Sequence, residues 1–112
     1  MEKIVFPKPQ FVEGLTFRVK PEEVELYMQL EEEIWVNELC KLPGFMGSET
    51  WVSEDKPGEV TSLYFWASEE DYHGIDQEWL AKQKEKIGGL IDSEFVSAWH
   101  GEDRRFRVRE YR

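Results

Sequence analysis

The stretch Leu42-Pro43-Gly44-Phe45-Met46-Gly47-Ser48-Glu49-Thr50-Trp51, continued by the segment from Pro57 to Ser68, decides the fold. Pro43 cannot continue a helix and Gly44 supplies a permissive turn, so a helix ends here and a strand follows over residues 45–52. Pro57-Gly58 marks a polar turn into a second strand, residues 59–67, which makes an antiparallel hairpin. Ser68 precedes three acidic residues and has the character of a helix N-cap.

Working outward from this hairpin, alternation of apolar residues predicts a strand over 11–19. Pro21 and the glutamates after it predict a helix from there to about Lys41. Downstream, a short helix is expected over 69–74 and a longer one over 76–87. Residues 90–100 fit both helical spacing and alternation, and we favour a helix. Alternation over 104–112 predicts a fourth strand.

The predicted order is β-α-β-β-α-β, the ferredoxin-like arrangement of the α+β class. It implies one four-stranded antiparallel sheet with the helices on one face. Residues 1–9 carry two prolines and are expected to form an extended N-terminal arm, and residues 10–112 a single domain.

The strand over 59–67 is apolar on both faces, whereas a strand in a sheet with one solvent-exposed face should alternate between apolar and polar residues. Tyr64 and Trp66 point to one side, whereas Leu63 and Phe65 point to the other. Helices can cover only one of these faces. A partner subunit or a ligand is therefore expected on the other, and we predict a homodimer.

Composition excludes several functions. The net charge of −10 opposes binding to nucleic acid or to an anionic membrane. No apolar run approaches the ~20 residues of a membrane span, and the N-terminus has prolines and charges where a signal peptide needs an apolar core. The single cysteine, Cys40, fits a reducing compartment, so a cytoplasmic protein is expected. The two histidines and Cys40 do not cluster, and neither a metal nor a cofactor is expected.

The residues quoted from Leu42 to Trp51, then Pro57-Gly58-Glu59-Val60, then the run from Phe65 to Tyr72, resemble the antibiotic biosynthesis monooxygenase-like superfamily. The resemblance spans about residues 10–80, and residues 32–35 are similar to a little-characterised subgroup known mainly from cyanobacteria. It implies a dimeric α+β barrel, in which the open sheet faces of two subunits pack together. It also implies a pocket between sheet and helices in each subunit. It does not define one activity, because the superfamily mixes several chemistries.

Candidate site residues follow from the residue patterns and from the resemblance to the superfamily. The expected substrate pocket consists of aromatic side chains and one strand carboxylate: Glu13, Trp35, Trp51, Tyr64, Trp66 and Tyr72. Glu31 interrupts the apolar stripe of the first helix, and a buried carboxylate there is a candidate base toward an acidic C–H group. His73 is the second catalytic candidate, although a base needs burial and a partner and its neighbours are charged. The haem-degrading pattern fits these positions poorly.

The leading hypothesis is a homodimer that binds an apolar or aromatic small molecule, with cofactor-independent oxygenation as its candidate reaction. The alternative is a non-catalytic dimeric scaffold or interaction protein whose aromatic residues serve assembly only. A cavity on the order of 300 Å³ or more beside polar side chains would favour the first, and a filled interior the second.

Overall fold

A computed structural model describes residues 3–5, 11–99 and 109–111. The strands are β1 (Lys3–Val5), β2 (Phe11–Arg18), β3 (Phe45–Val52), β4 (Glu59–Trp66), β5 (Glu94–Trp99) and β6 (Arg109–Tyr111). A 3₁₀ turn (Pro21–Glu23) precedes five helical segments: α1 (Val24–Glu31), a π-helical segment (Glu32–Val36), α2 (Asn37–Leu39), α3 (Glu69–His73) and α4 (Gln77–Gly88).

Four strands form one antiparallel sheet in the order β3-β4-β2-β5. Alternate residues of β2, such as Phe11 and Leu15, pack with Leu39 from the first helical region and Trp79 from α4. The other sheet face carries Trp51, whose surface is 57% exposed. The α+β class, the β-α-β-β-α-β order and the placement of the helices on one face are therefore confirmed.

The prediction for the C-terminal third was wrong in two respects. The expected helix over 90–100 is a strand from Glu94 to Trp99, and this strand is the fourth in the sheet. Pairing with β2 overrides the helical spacing, because it sets Phe95 against Phe17 with ring centres 5.7 Å apart. The strand expected over 104–112 is described only at 109–111, where it pairs with 3–5 in a separate two-stranded sheet. Residues 104–108 and 112 lie outside the described residues, as do 1–2 and 6–10 of the predicted arm and its junction.

The first helix is not one regular α-helix over the predicted range. A π-helical segment interrupts it after Glu31, which adds a residue to that turn. Its buried side chains are consequently spaced by four, three and five residues, at Tyr27, Glu31, Ile34 and Leu39. The wider turn keeps Leu39, rather than the charged Glu38, against the sheet.

A bulge at Met46 changes which face each β3 side chain occupies. Phe45 lies opposite Trp66, but Gly47 lies opposite Phe65, so one extra residue stands between them. Simple alternation would place Phe45 and Trp51 on one face. The bulge instead puts Phe45 against the ring of Trp66 on the helix side and leaves Trp51 on the open face.

The Gly44 turn fits closely against the start of α3. Gly44 has a φ of +80°, and a Cβ atom there would lie 2.2 Å from the carboxyl carbon of Asp71. Asp71 is held in place by Ser68, the N-cap residue, whose hydroxyl oxygen accepts from the Asp71 N–H at 3.1 Å. The glycine is thus required both by backbone conformation and by this close approach.

Candidate functional site

A cavity of about 670 Å³ lies between the sheet and the helices. Its floor is formed by β2 and β5, through Glu13, Leu15, Phe17, Phe95 and Ala98. Alternate residues of β2 face this cavity because successive strand side chains point to opposite sides of the sheet. The cavity reaches the surface beside α4, where Gln77, Lys84 and Gly88 are exposed.

The structure brings five of the six predicted pocket residues to this cavity: Glu13, Trp35, Tyr64, Trp66 and Tyr72. Trp51 is not among them. It lies on the open face of the sheet, where its indole N–H donates to the Glu49 Oε1 atom at 3.0 Å. The β3 bulge separates Trp51 from the residues with which simple alternation grouped it.

Glu31 is 4% exposed and accepts hydrogen bonds from three hydroxyl groups. Thr50 donates to Oε1 at 2.9 Å, Tyr64 donates to Oε2 at 2.8 Å, and Ser62 also donates to Oε2. These donors come from β3 and β4, so the carboxylate ties the first helix to two strands. Glu31 does not line the cavity itself and reaches it through Tyr64, which does.

Two tyrosines that line the cavity are held in their neutral form. Burial, and then the negative charge of Glu31, raises the pKa of Tyr64 well above its ordinary value of 10.0. The same two causes, in the same order, raise the pKa of Tyr27. Both side chains therefore act as hydroxyl groups, not as phenolates, at neutral pH.

Among the residues that the structure describes, Glu13 is the carboxylate that lines the cavity directly. It is half-buried in β2 and stands opposite Tyr64 of β4, so the two side chains share one face of adjacent strands. The Tyr72 hydroxyl of α3 donates to the Glu13 Oε2 atom at 2.8 Å. The Tyr72 ring in turn stacks on Phe11, with ring centres 4.6 Å apart, which holds the hydroxyl in this position.

The structure does not bring His73 to the cavity. Its side chain is 56% exposed on α3, where Nε2 lies 3.5 Å from the Glu69 Oε1 atom. Within the described ranges, no group of three or more histidine, cysteine or acidic side chains is arranged to hold a metal ion. Also within those ranges, no helix is both long enough and apolar enough to cross a membrane.

The sequence did not lead us to predict the part of the cavity wall that α4 forms. The α4 residues that line the cavity are Gln77, Leu80, Lys84, Ile87 and Gly88. The first four are spaced by three, four and three residues, and Gly88 follows Lys84 by four, so all five lie on one helix face. That spacing was readable from the sequence. Tyr27, another lining residue, was visible only as part of the apolar stripe of the first helix.

A scan against protein-family models finds no match, and a search of curated protein sequences finds none either. The fold, in contrast, is shared with solved structures. A conserved protein from Methanosarcina mazei Go1 is 22% identical with a TM-score of 0.59, over 82% of this chain and 92% of that one. A structure from Bacteroides thetaiotaomicron, described as a putative antibiotic biosynthesis monooxygenase, is 21% identical with a TM-score of 0.57, over 81% of this chain and 84% of that one. SnoaB, a cofactor-independent oxygenase from Streptomyces nogalater, is 15% identical with a TM-score of 0.58, over 92% and 96%.

These similarities define the fold class of the chain. It has the α+β architecture found in antibiotic biosynthesis monooxygenase structures, and the likeness extends over most of both chains in each comparison. At these identities the fold is what is shared, and function has to be argued from the cavity.

Proposed function

We propose that this chain is a monooxygenase-like domain that binds an apolar or aromatic small molecule in the cavity between its sheet and helices. The observation that carries the proposal is the cavity itself. Its volume of about 670 Å³ falls within the 300–1,000 Å³ typical of small-molecule sites. Aromatic walls with few polar groups suit a largely apolar ligand. A non-catalytic scaffold requires no such unfilled volume.

Binding is tested by titrating 2-naphthol into the full chain and following tryptophan fluorescence, since Trp35 and Trp66 line the cavity. A Leu80→Trp variant fills part of the cavity, and we expect its affinity to fall by at least about tenfold. Leu26→Trp is the matched control because Leu26 lies on the exposed side of α1 and does not line the cavity. Equal affinities in the two variants would place the ligand elsewhere, and no binding to the unaltered chain would contradict the proposal.

We also propose that the domain acts as a homodimer through the open face of its sheet. Support comes from Trp51, which is 57% exposed on this face, and from Phe65, which is half-buried further along the same face. Apolar surface of this kind is usually covered by a partner. Native mass spectrometry should show a dimer that Trp51→Ser weakens by about tenfold or more. Leu90→Ser, an equally exposed apolar position after α4, should leave it unchanged, and a monomeric unaltered chain would contradict the proposal.

Cofactor-independent oxygenation is the reaction that we propose for the bound molecule, on the basis of the fold shared with SnoaB and the carboxylate in the cavity. Without a cofactor, the substrate must itself become the electron donor to O₂, which requires a base beside an activated C–H or O–H group. Glu13 lines the cavity and is the candidate for this role. Glu31 is engaged by three hydroxyl groups behind Tyr64, and we assign it to positioning that ring.

The assignment is tested by oxygen consumption with a panel of phenols and anthrones. Glu13→Gln should abolish turnover while binding persists. Glu31→Gln should change KM more than kcat, because it displaces Tyr64 without removing the base. Full turnover in Glu13→Gln would refute the assignment of the base, and absence of oxygen uptake by the unaltered chain with every substrate in the panel would refute the oxygenase proposal while leaving binding intact.

A further inference from the structure

The cavity has two ends, and they pack against different parts of the core. At one end, Trp79 near the start of α4 packs in the cluster that contains the beginning of β2. At the other end, Ile87 near the end of α4 packs in the cluster that contains Tyr27. Phe17 packs there as well, and it lies roughly 13 Å along β2 from Glu13 at the first end. We call the second end the Phe17 end.

Lys84 supplies a positive charge at the Phe17 end. It lines the cavity and lies one turn before Ile87 on the same face of α4. None of the positions three or four residues away is acidic, since they hold Leu80, Ala81, Ile87 and Gly88. Within residues 3–5, 11–99 and 109–111, the ammonium group of Lys84 makes no ion pair and no hydrogen bond. This charge is therefore available to a ligand in the cavity.

The Ser93 hydroxyl is a second donor at the same end. Ser93 lines the cavity where the chain passes from α4 into β5. It precedes Phe95 by two residues, and Phe95 stands opposite Phe17 in the sheet. In the part of the chain that the structure describes, this hydroxyl also makes no hydrogen bond. An ammonium group and a hydroxyl on neighbouring elements suit the two oxygens of one carboxylate.

The negative charge behind the cavity lies over other strands. Glu31 is anchored by Thr50 of β3 and Tyr64 of β4. In the order β3-β4-β2-β5, β5 is two strand spacings from β4, or roughly 10 Å. Tyr27 adds no charge at the Phe17 end, because burial, and then the charge of Glu31, raises the pKa of its hydroxyl. An anion is therefore repelled least, and attracted by Lys84, on the β5 side.

Two acidic residues flank Ser93, and both belong to a different surface. Asp92 and Glu94 line a shallow depression together with Arg18 and Lys20. The Arg18 Nη1 atom lies 3.3 Å from the Glu94 Oε2 atom. Neither acidic residue lines the cavity. Both therefore leave Lys84 able to pair with a ligand inside it.

We propose that the cavity binds an organic acid, a molecule with an apolar or aromatic body whose carboxylate is held by Lys84 and Ser93 at the Phe17 end. This proposal rests on the proposed small-molecule function and narrows its ligand class. The body of the ligand lies between Leu15 of β2 and Leu80 of α4, which line the cavity from the sheet and from the helix. The carboxylate stays at the surface beside α4, where it keeps part of its hydration and avoids the cost of burying a charge.

The test uses two probes of nearly the same shape, 2-naphthoate and 2-naphthamide, which differ in one negative charge. Each is titrated into the full chain by calorimetry at neutral pH and low ionic strength, because salt screens exposed ion pairs. The amide is the less hydrated probe, and the net charge of the chain, −10, repels the anion, so neither effect can favour 2-naphthoate. We expect 2-naphthoate to bind about three- to fivefold more tightly, the range of a partly exposed ion pair.

Three variants locate the effect. Lys84→Gln keeps most of the side-chain stem and should abolish the preference for the anion. Lys82→Gln removes the same charge from an exposed position of α4 that does not line the cavity, and it should retain the preference. Ser93→Ala should weaken 2-naphthoate binding by about twofold or more. Unchanged binding of 2-naphthamide to the two lysine variants shows that both are folded.

Each part of the proposal has its own contrary result. Equal affinities of the two probes for the unaltered chain, or tighter binding of 2-naphthamide, would overturn the organic-acid proposal and leave the small-molecule function standing. Binding of neither probe would overturn both. A preference that survives Lys84→Gln, or that Lys82→Gln abolishes equally, would overturn the assignment to Lys84. Full affinity for 2-naphthoate in Ser93→Ala would overturn the assignment of Ser93 as the second donor.

Discussion

Replacing Glu31 offers a stringent test of the buried hydroxyl cluster. In Glu31→Ala, Ser62 and Tyr64 would lose their acceptor at sites that are 2% and 7% exposed. An unsatisfied buried polar group costs about 1–3 kcal/mol, while half-buried Thr50 can turn toward water at smaller cost. Release of the buried charge offsets part of the loss. The free energy of unfolding should therefore fall by about 4 kcal/mol.

Glu31→Gln retains the shape and one acceptor oxygen but removes the charge. Charge-assisted hydrogen bonds contribute about 1.5–3 kcal/mol each and neutral ones about 1 kcal/mol, so we expect a loss of about 2 kcal/mol. A 112-residue domain has a total stability of about 6–17 kcal/mol, so both variants remain measurable by urea unfolding.

Glu33→Gln is the matched control. Glu33 is exposed on the same helical region, and its Oε1 atom accepts only a surface hydrogen bond from the Gln29 side chain at 3.2 Å among the contacts described. Its effect should stay within about 0.5 kcal/mol. If Glu31→Ala were no more destabilising than the control, the hydroxyl cluster around Glu31 would not stabilise the fold.

Two further predictions concern ionisation and the Gly44 turn. Folding raises the pKa of both Tyr27 and Tyr64. The stability that these groups confer is therefore fully present below pH 10. It is lost at about 1.4 kcal/mol per pH unit for each group as the pH rises from 10 toward the pKa of that group in the folded chain. Tyrosinate absorbance should show these two groups ionising only with alkaline unfolding, and ordinary titration near pH 10 in the folded chain would contradict this. Gly44→Ala should lower stability by about 1–2 kcal/mol through its positive φ, with a further loss from displacing Asp71. Gly88→Ala, with no neighbour within 4 Å of the added atom, should instead raise stability by about 0.5–1 kcal/mol in thermal unfolding. Equal effects of the two substitutions would contradict the requirement for glycine at position 44.

The central fold was predictable because local signals agreed there. Three local signals each have one dominant physical interpretation, and the structure agrees with all of them. They are the helix end at Pro43-Gly44, the hairpin turn at Pro57-Gly58 and the N-cap at Ser68. Residues 94–99 differ because their local pattern permits helix and strand equally. The edge of β2 decides between them, and pairing across nearly 80 positions of sequence is invisible to local spacing.

The site was predictable to the extent that alternation was regular. Glu13, Tyr64 and Trp66 occupy undisturbed positions of β2 and β4, and all three reach the cavity. Trp51 does not reach the cavity, because the bulge at Met46 moves the side chains that follow it in β3 to the opposite face of the sheet. Gly47 is the one sequence feature near this position that is typical of a bulge. The acceptor role of Glu31 likewise depends on three hydroxyl groups from two strands, which only the folded chain brings together.

Occupancy of the cavity is the measurement that tests the account most directly. Crystals of the full chain grown with 4-bromophenol would locate the bromine by its anomalous scattering. We predict a bromine site between β2 and α4, within about 4 Å of Leu15 or Leu80. Bromine found only on the outer surface, with the volume between sheet and helices filled by side chains, would contradict the proposal that this domain binds a small molecule there.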